Sequence, residues 1–418
     1  MRLLVFEQRY TSPGDPGIAR FSILGKFWIR AGHQVSIVTG MVNYISGLKD
    51  RAYRGRLLVR ERAADGYTVL RAFDAGLGYR RFAGRLLSYV TFLVFAFIAA
   101  LKSPKPHIIV VSSPPLFIGI VAQAVSLLRR VPLVLDIRDP WPAAAVELGF
   151  VRSRLLIAAS RRLERSLYGR AQLIVANSPG LVRLIADSGH GDGRPVAVVP
   201  NPVDFGFLRP SAATSLRREM GWQDRFVVLY AGAHSAIYDF DTLLAVAGRL
   251  ANRRSFLFVL AGDGRQKPHV AQKVRREQLD NVTLLPPLSK TEALGLAAAA
   301  DVCVAAVKPA RFLRYTYITK IFDYMAARRP SVLAIEGVTA HMVTEDARCG
   351  ICTAPGDDEA MARAIEELHD DPERATRLGE NGYRYARSNL AAGKLAEKYL
   401  RILASVAESA HFRQSVSP

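Results

Sequence analysis

A lysine near the start of a short helix is the residue whose position most clearly suggests chemistry. The stretch from Arg314 to Pro330 predicts a loop that enters a helix, with Thr319 as its N-cap. Lys320 then falls in the first turn, where the helix dipole disfavours a cation unless an anion joins it. The free backbone N–H groups from Thr319 to Ile321 would converge on the same spot, which suits a phosphate. An ordinary amphipathic helix with a surface lysine is the alternative.

Other polar residues of the second half follow predicted strands or the same helix. Asp323, one turn into the helix, could accept hydrogen bonds from a sugar diol. The tight turn Gly262-Asp263-Gly264 ends one strand. His234 follows another strand and is predicted to lie near the same site, where it is as consistent with a cap as with a ligand.

The sequence predicts neither a metal site nor another cofactor. Asp239-Phe-Asp241 resembles a metal-binding D-x-D motif, but acids at a helix start are expected from the dipole alone. Cys349 and Cys352 have C-x-x-C spacing, yet residues three apart in a strand point to opposite faces. Metal sites usually need more ligands, so we interpret both cysteines as structural, with a redox or metal role as the alternative.

Two segments of the first half could contribute to a site. Gly14 and Gly17 lie between the first strand and the first helix, where they would let the backbone approach a ligand closely; a plain loop is the alternative. Arg138 and Asp139 follow a buried strand, at the edge where catalytic groups collect in open α/β sheets. Asp139 could accept a proton from an acceptor hydroxyl, or act as an N-cap or as the ion-pair partner of Arg138.

Short apolar runs alternate with helical segments along the whole chain, which predicts parallel sheets with helices on both faces. Strands are predicted at residues 2–7, 34–39, 107–112, 132–137, 172–177, 196–199, 226–231, 256–261, 282–285, 302–307, 331–335 and 350–354. The proline-bearing segment 201–215 interrupts the alternation and reads as a linker.

We therefore predict an α/β protein with two Rossmann-like domains. The first covers residues 1–205 and the second residues 206–385, and a C-terminal helix at residues 386–412 packs back on the first. Ligands are expected outside the carboxyl ends of the strands, in the cleft between the domains.

The composition points to an anionic partner. The 418 residues include 57 Lys and Arg against 37 Asp and Glu, a formal net charge of +20. Such a charge predicts attraction to a membrane, a nucleic acid or a phosphorylated substrate. No nucleic-acid-binding motif is present, so we do not expect a nucleic-acid partner. The three cysteines fit a reducing compartment, and MRLLVFEQRY is not expected to act as a signal peptide, so we expect a cytoplasmic protein.

One apolar segment raises the question of a membrane. Leu86 to Leu101 is uncharged, is flanked by basic residues on both sides, and is shorter than the roughly 20 residues that a span needs. A core helix, an interfacial helix beside an anionic leaflet and a true span are the three interpretations.

Together these segments resemble glycosyltransferase family 4, whose members have the GT-B fold. The resemblance covers nearly the whole chain. Its first-half motifs are the glycine-bearing loop, Ala31-Gly-His33, Asn177-Ser178 and Val199-Pro-Asn-Pro-Val-Asp204. Its second-half motifs are Leu260-Ala-Gly-Asp-Gly264, Asn281-Val-Thr-Leu-Leu-Pro-Pro287, Ala300-Asp301 and Thr319-Lys-Ile-Phe-Asp-Tyr-Met-Ala-Ala327. The segments that resemble the branch building bacterial surface polysaccharides, including fucosamine-type transferases, are Asp139-Pro-Trp-Pro142 and Ser112-Ser-Pro-Pro115.

The resemblance implies retaining transfer of a sugar from a nucleotide-sugar donor, without a required metal, to a glycan or a polyprenyl-diphosphate-linked sugar. By position, Asp323 matches the second glutamate of the family's E-x7-E motif, which holds the ribose diol. Lys320 and the amides around it match diphosphate contacts. Gly14 and Gly17 match the loop that approaches the donor phosphates, and Pro286 lies where backbone groups meet the base.

The sequence departs from the family at the donor site. The first glutamate of the motif would fall at Tyr315, which cannot act as a carboxylate. His234 and Tyr238 occupy a region where many members carry Arg and Lys, and Arg138 stands where many have a histidine. Donor phosphate binding is therefore expected to depend on Lys320, with Arg314 as a second cation.

We predict a retaining glycosyltransferase of lipopolysaccharide or capsule biosynthesis, peripheral on the inner face of the plasma membrane. Lys320, Arg138 and Asp139 are the candidate catalytic residues, with Lys320 stabilising the charge that develops on the leaving diphosphate. The alternatives are a non-catalytic GT-B protein that binds a nucleotide or a sugar, a nucleotide-sugar epimerase of the same fold, and a basic nucleic-acid-binding protein.

Overall fold

The computed structural model describes residues 1–12, 19–42, 49, 51–75, 82–189, 193–208 and 212–416. These residues form two compact units. The first unit contains the described residues up to Pro202 together with the last helix, which begins at Ala392, and the second unit runs from Val203 to Ala391. Each unit is built on its own mainly parallel sheet, so the predicted class of two Rossmann-like α/β folds is confirmed.

The first unit contains an eight-stranded sheet. Its strands are β1 (Arg2–Phe6), β2 (Gln34–Gly40), β3 (Leu58–Arg62), β4 (Thr68–Ala72), β5 (Ile108–Ser113), β6 (Leu133–Ile137), β7 (Leu173–Ala176) and β8 (Val196–Val198). Its helices are α1 (Arg20–Arg30), α2 (Phe82–Lys102), α3 (Ile118–Arg129), α4 (Ala143–Glu147), α5 (Arg154–Arg170), α6 (Pro179–Asp187) and α15 (Ala392–Val416). The strand order is β3-β4-β2-β1-β5-β6-β7-β8, and only β3 and β4 pair antiparallel.

The central strands follow directly from their sequences. Every residue of β5 and β6 is buried, as expected for parallel strands whose two faces are both covered by helices. Strands β3 and β4 were not predicted. β3 forms the sheet edge, and the charged residues of LVRER, which suit an exposed edge, hide its strand character from the apolar pattern.

The last helix packs on the rest of the first unit and makes buried polar contacts with it. Trp28 of α1 donates a hydrogen bond from Nε1 to the carbonyl of Ala396 in α15 (3.0 Å). Arg20, fully buried, pairs with Asp136 of β6 (2.9 Å), and the Tyr399 hydroxyl donates to the same carboxylate (2.8 Å). Helix α1, strand β6 and helix α15 therefore share one buried ion-pair network.

The apolar segment from residue 86 to 101 lies within α2 and serves the core on one side. Phe92, Ala96 and Ala100 are fully buried, whereas Val90 and Val94 are about half exposed on the other side of the helix. Among the described residues, no helix is both long and apolar enough to cross a membrane.

The second unit contains a six-stranded, fully parallel sheet. Its strands are β9 (Phe226–Ala231), β10 (Phe256–Ala261), β11 (Val282–Leu285), β12 (Val302–Ala306), β13 (Ser331–Ala334) and β14 (Gly350–Thr353), in the order β11-β10-β9-β12-β13-β14. Its helices are α7 (Ala212–Glu219), α8 (Phe240–Arg249), α9 (Lys267–Arg276), α10 (Lys290–Ala299), α11 (Lys320–Ala326), α12 (Val338–His341), α13 (Asp358–Asp370) and α14 (Pro372–Tyr385).

The acids of the D-x-D segment have local partners. The Asp239 side chain caps α8 by accepting a hydrogen bond from the Thr242 amide (3.2 Å). Asp241 accepts a hydrogen bond from Lys273 (2.8 Å) and lies 3.1 Å from Nε2 of His269. Both carboxylates therefore serve helix starts and surface pairs, as the dipole argument anticipates.

Candidate functional site

Two glycine-bearing loops meet at the carboxyl edge of the second sheet. One loop follows β9 and the other follows β10. A Cβ atom at Gly262 (φ +145°) would lie 1.9 Å from the carbonyl oxygen of Gly232, and a Cβ at Gly264 (φ +151°) would lie 2.4 Å from that of His234. Only glycine allows this backbone conformation and this approach. The predicted tight turn Gly262–Gly264 is thus the element that holds the two loops together.

Lys320 is buried at this edge. Its Nζ lies 3.3 Å from the ring centroid of Tyr230 and 3.7 Å from that of Tyr238. The same atom would lie 3.1 Å from a Cβ at Gly232, so the glycine leaves room for it. Nζ finds no hydrogen-bond acceptor among the described residues. Burial holds the pKa of Lys320 well below its usual value, and the nearby Asp323 carboxylate opposes this shift.

The aromatic rings only partly compensate the charge of Lys320. A desolvated cation over an aromatic face gains about 2 kcal/mol or more, whereas an ionised group taken out of water without a counter-charge costs considerably more. The arrangement therefore favours an anion beside Nζ, which would restore the ordinary pKa of the ammonium.

His234 is fully buried beside the lysine. Neither of its ring nitrogens has a hydrogen-bond partner among the described residues. Burial, with the charges of Lys320 and Lys267, lowers the pKa of His234 to about 4. The imidazole is therefore neutral at neutral pH, with one N–H donor and one acceptor nitrogen available. Its backbone amide donates to the carbonyl of Asp263 (2.8 Å), which ties the histidine to the glycine turn.

Asp323 has a partner that the sequence analysis missed. Lys290 Nζ lies 2.6 Å from both of its carboxylate oxygens. Lys290 is the first residue of α10, positioned by a capping box between Ser289 and Glu292. A carboxylate offers about four lone-pair sites, so Asp323 retains acceptor capacity for another donor. The capping-box pattern was the sequence signal that could have located this lysine.

The start of α11 differs in detail from the prediction. Thr319 is the N-cap residue, as predicted, but its side chain makes no capping hydrogen bond. The amide of Ile321 is not free either, because it donates to the carbonyl of Ile318 (3.1 Å). The α11 helix has only seven residues. Lys320 itself, rather than a row of free amides, is the feature that this segment contributes.

Arg314 lies elsewhere on the same unit. It is exposed, belongs to the short 3-10 segment Arg311–Tyr315, and pairs with Glu336 (2.6 Å). Both residues line a surface cavity of about 280 Å³ at the carboxyl ends of β12, β13 and β14. Pro286, exposed after β11, lies at the carboxyl end of a different strand.

In the first unit, Arg138 and Asp139 follow β6 as predicted. Arg138 pairs with Glu7 (3.3 Å) rather than with Asp139. The alternative prediction of an Arg138–Asp139 ion pair is therefore wrong. Burial raises the pKa of Glu7 to about 7 against the opposing charge of Arg138, and burial also raises the pKa of Asp139. Glu7 was missed because it reads as the end of the first strand. Gly14 and Gly17 lie outside the described residues.

Two Rossmann-like, mainly parallel sheets in one chain are the architecture of GT-B glycosyltransferases. The model of the glycosyl transferase 4-like domain matches residues 20–202, and the model of glycosyl transferases group 1 matches residues 225–371. The chain belongs to the glycosyltransferases that these two domain families describe.

Individual relatives agree with this class. The chain is 32% identical over 169 residues to an alpha-D-kanosaminyltransferase of Streptomyces kanamyceticus, a match that spans 40% of this chain and only 42% of that relative. It is 22% identical over 263 residues to the O-antigen chain mannosyltransferase C of Escherichia coli, covering 62% of this chain and 67% of the relative. The crystal structure of HepE from Anabaena in complex with UDP and glucose superposes with a TM-score of 0.71 at 18% identity, covering 97% of this chain and 100% of HepE. This likeness shows the fold.

Proposed function

We propose that this chain transfers a sugar from a nucleotide-sugar donor whose diphosphate binds beside Lys320. The observation that carries the proposal is the buried Nζ of Lys320, which finds no acceptor among the described residues. A diphosphate would supply the counter-charge and the hydrogen bonds that a buried cation needs. The complex of HepE with UDP and glucose supports this donor class.

In the proposed reaction, the bond between the anomeric carbon and the diphosphate oxygen breaks and leaves negative charge on the nucleotide diphosphate. Lys320 stabilises that charge as it develops, and the neutral His234 can donate its N–H to the same group. Loss of one preorganised donor of this kind costs about 10²- to 10³-fold in turnover. In this proposal Lys320 has the main catalytic role, and the reaction is proposed to need no metal.

Asp323 is proposed to bind the ribose of the donor. Its carboxylate, held by Lys290, can accept hydrogen bonds from two neighbouring hydroxyls. Thr319, Gly262 and Asp263 are proposed to lie along the diphosphate. The base would lie near Pro286, and Arg314 remains a second cation whose contact with the donor is a prediction.

In the first unit, Arg138 and Asp139 are proposed to face the acceptor. Asp139 is an acid at the carboxyl edge whose raised pKa favours proton acceptance. Retention would arise by attack on the face from which the diphosphate leaves, with no enzyme nucleophile. Gly14 and Gly17 are proposed to approach the donor phosphates, which remains a prediction.

The acceptor is proposed to be a lipid-linked glycan of a bacterial surface polysaccharide, such as a polyprenyl-diphosphate-linked sugar. The relationship to an O-antigen mannosyltransferase supports this class of acceptor. The net charge of +20 supports a peripheral position on the anionic inner face of the plasma membrane, with the enzyme on the cytoplasmic side.

A transfer assay tests the proposal. The purified chain would be incubated with radiolabelled UDP-, GDP- and dTDP-sugars and a polyprenyl-diphosphate-linked acceptor, with and without EDTA. Product from one donor, with the anomeric configuration of the donor and unaffected by EDTA, is the expected result. Transfer with inversion would refute the retaining mechanism, and loss of activity with EDTA would refute metal independence.

A GT-B protein that binds a nucleotide sugar without turnover is the second candidate, favoured by Tyr315 in place of the family's first glutamate. A thermal-shift panel of nucleoside diphosphates separates the two, because a bound ligand raises apparent stability by mass action. Stabilisation by a diphosphate with no transfer or hydrolysis of any donor would favour this candidate.

A further inference from the structure

One helix of the first unit extends beyond the part of the fold that covers it. Within α5, only Leu167 and Tyr168, near its C-terminal end, are buried. None of the residues from Arg154 to Ser166 is buried. Leu155 is 83% exposed and Leu156 is 46% exposed, although both lie in the first turn of the helix. Exposed apolar side chains grouped on one helix are a feature of interaction surfaces.

The exposed part of α5 is amphipathic. At about 100° per residue, Leu156, Leu163 and Leu167 follow one another along one side, and Leu155 lies on the flank between this row and the arginines of the other side. Leu167, at the C-terminal end of the row, packs against α3, where a Cβ at Gly119 would lie 2.4 Å from its side chain. The apolar row is therefore buried at Leu167, partly buried at Leu163 and exposed at Leu156.

The opposite side of the helix is cationic. Arg154, Arg161 and Arg165 recur at intervals of seven and four residues, which places them on one face. Arg162 is exposed beside them, and Glu164 is the one acid within α5. A leucine row bordered by arginines is the pattern of a helix that lies in the plane of an anionic membrane surface.

We propose that the exposed part of α5 (Arg154–Ser166), which we call the α5 arm, is the surface by which this chain binds an anionic lipid bilayer. The leucines would enter the acyl boundary while the arginines stay at the headgroups. The inference rests on the proposed membrane association and specifies its site. Charge favours this occupant over a second copy of the chain, since two arginine-rich arms would repel each other.

The experiment is sedimentation of the purified full-length chain with vesicles of phosphatidylcholine alone or mixed with phosphatidylglycerol. The double variant Leu155→Gln/Leu156→Gln should lower affinity for the mixed vesicles about tenfold or more. Arg161→Gln/Arg165→Gln should weaken binding and reduce its dependence on salt. Leu57→Gln, another exposed leucine of the same unit, is the matched control and should bind like the wild type. Because these side chains are exposed, the variants should retain the wild-type thermal unfolding temperature.

The outcomes separate the two levels of the proposal. If the wild type binds neither vesicle, membrane association itself is refuted and the arm with it. If it binds mixed vesicles and the Leu155/Leu156 variant binds equally well, the association stands and the assignment to the arm is wrong. Loss of binding in Val90→Gln/Val94→Gln alone would move the site to α2. A wild-type dimer in solution that the Leu155/Leu156 variant abolishes would identify a second copy as the occupant and overturn the proposal.

Discussion

Replacing Lys320 by methionine removes the ammonium while keeping a side chain of similar length. Lys320 is buried, and its Nζ has the tyrosine faces but no hydrogen-bond acceptor among the described residues. Exchange of a buried charge for an apolar group of similar volume is often neutral or stabilising. The variant loses the cation–π contact, about 2 kcal/mol, but it also no longer incurs the desolvation cost of a buried charge, and the two effects oppose each other. We therefore expect Lys320→Met to fold with an unfolding temperature close to that of the wild type.

The effect on catalysis should be far larger. If Nζ meets the charge of the leaving diphosphate, its removal should lower turnover about 10²- to 10³-fold, which corresponds to about 2.7–4 kcal/mol of transition-state stabilisation. A lost hydrogen bond to a charged group, about 1.5–3 kcal/mol, should also weaken binding of the free nucleoside diphosphate by roughly ten- to a hundredfold.

The assay combines a transfer rate with calorimetric binding of the nucleoside diphosphate. Lys398→Met, which removes an exposed lysine from α15 in the first unit, is the matched control and should leave both quantities unchanged. A folded Lys320→Met protein with a rate within a few-fold of the wild type would refute the assignment. A folded variant that binds diphosphate normally but turns over slowly would instead restrict Lys320 to the transition state.

Three further predictions concern the charged pairs. Glu7 has a folded pKa of about 7 against an ordinary value of 4.5, so the native state holds more protons than the unfolded state between these values; unfolding free energy should fall by about 3 kcal/mol as pH rises through this window. Glu7→Gln should remove this dependence in urea titrations, and an unchanged slope would contradict it. Tyr399→Phe removes one donor to the buried Asp136 carboxylate and should lower the urea-derived unfolding free energy by about 1–3 kcal/mol; no loss would show that Arg20 alone satisfies Asp136. Lys290→Met removes the partner of Asp323, so that this carboxylate can pair with Lys320 in place of the diphosphate. Diphosphate binding measured by calorimetry should therefore weaken, even if Lys290 does not contact the donor. Unchanged affinity would show that Asp323 does not compete with the diphosphate for Lys320.

Features set by local sequence were predictable. The continuous apolar runs identified β1, β5, β6 and the strands of the second sheet, because a parallel strand covered on both faces has little choice of composition. The antiparallel edge pair β3 and β4 was not predicted, because charged residues shorten the apolar runs of LVRER and TVLRA. The predicted linker at residues 201–215 contains the first residues of α7, whose polar composition gave a weak helical signal.

In the candidate site, too, the residues marked by local sequence were predictable and their long-range partners were not. Lys320, His234 and the glycine turn could be located from the sequence because each directly follows a strand or begins a helix. The partners of the charged residues could not. Lys290 and Asp323 are 33 residues apart, and Glu7 and Arg138 are 131 residues apart. Such pairs depend on which loops lie close together at the sheet edge, and these long-range contacts cannot be predicted from a single sequence.

The pairing of Asp323 explains why Lys320 is available at all. Lys320 and Asp323 are three residues apart on one helix, a spacing at which opposite charges commonly pair. Such a pair would neutralise the lysine before any donor arrived. Instead Lys290 contacts both carboxylate oxygens of Asp323, while Tyr230 and Tyr238 hold the Lys320 ammonium through their faces. Because the Asp323 carboxylate is engaged by Lys290, the counter-charge that would raise the lowered pKa of Lys320 again is left to the proposed diphosphate.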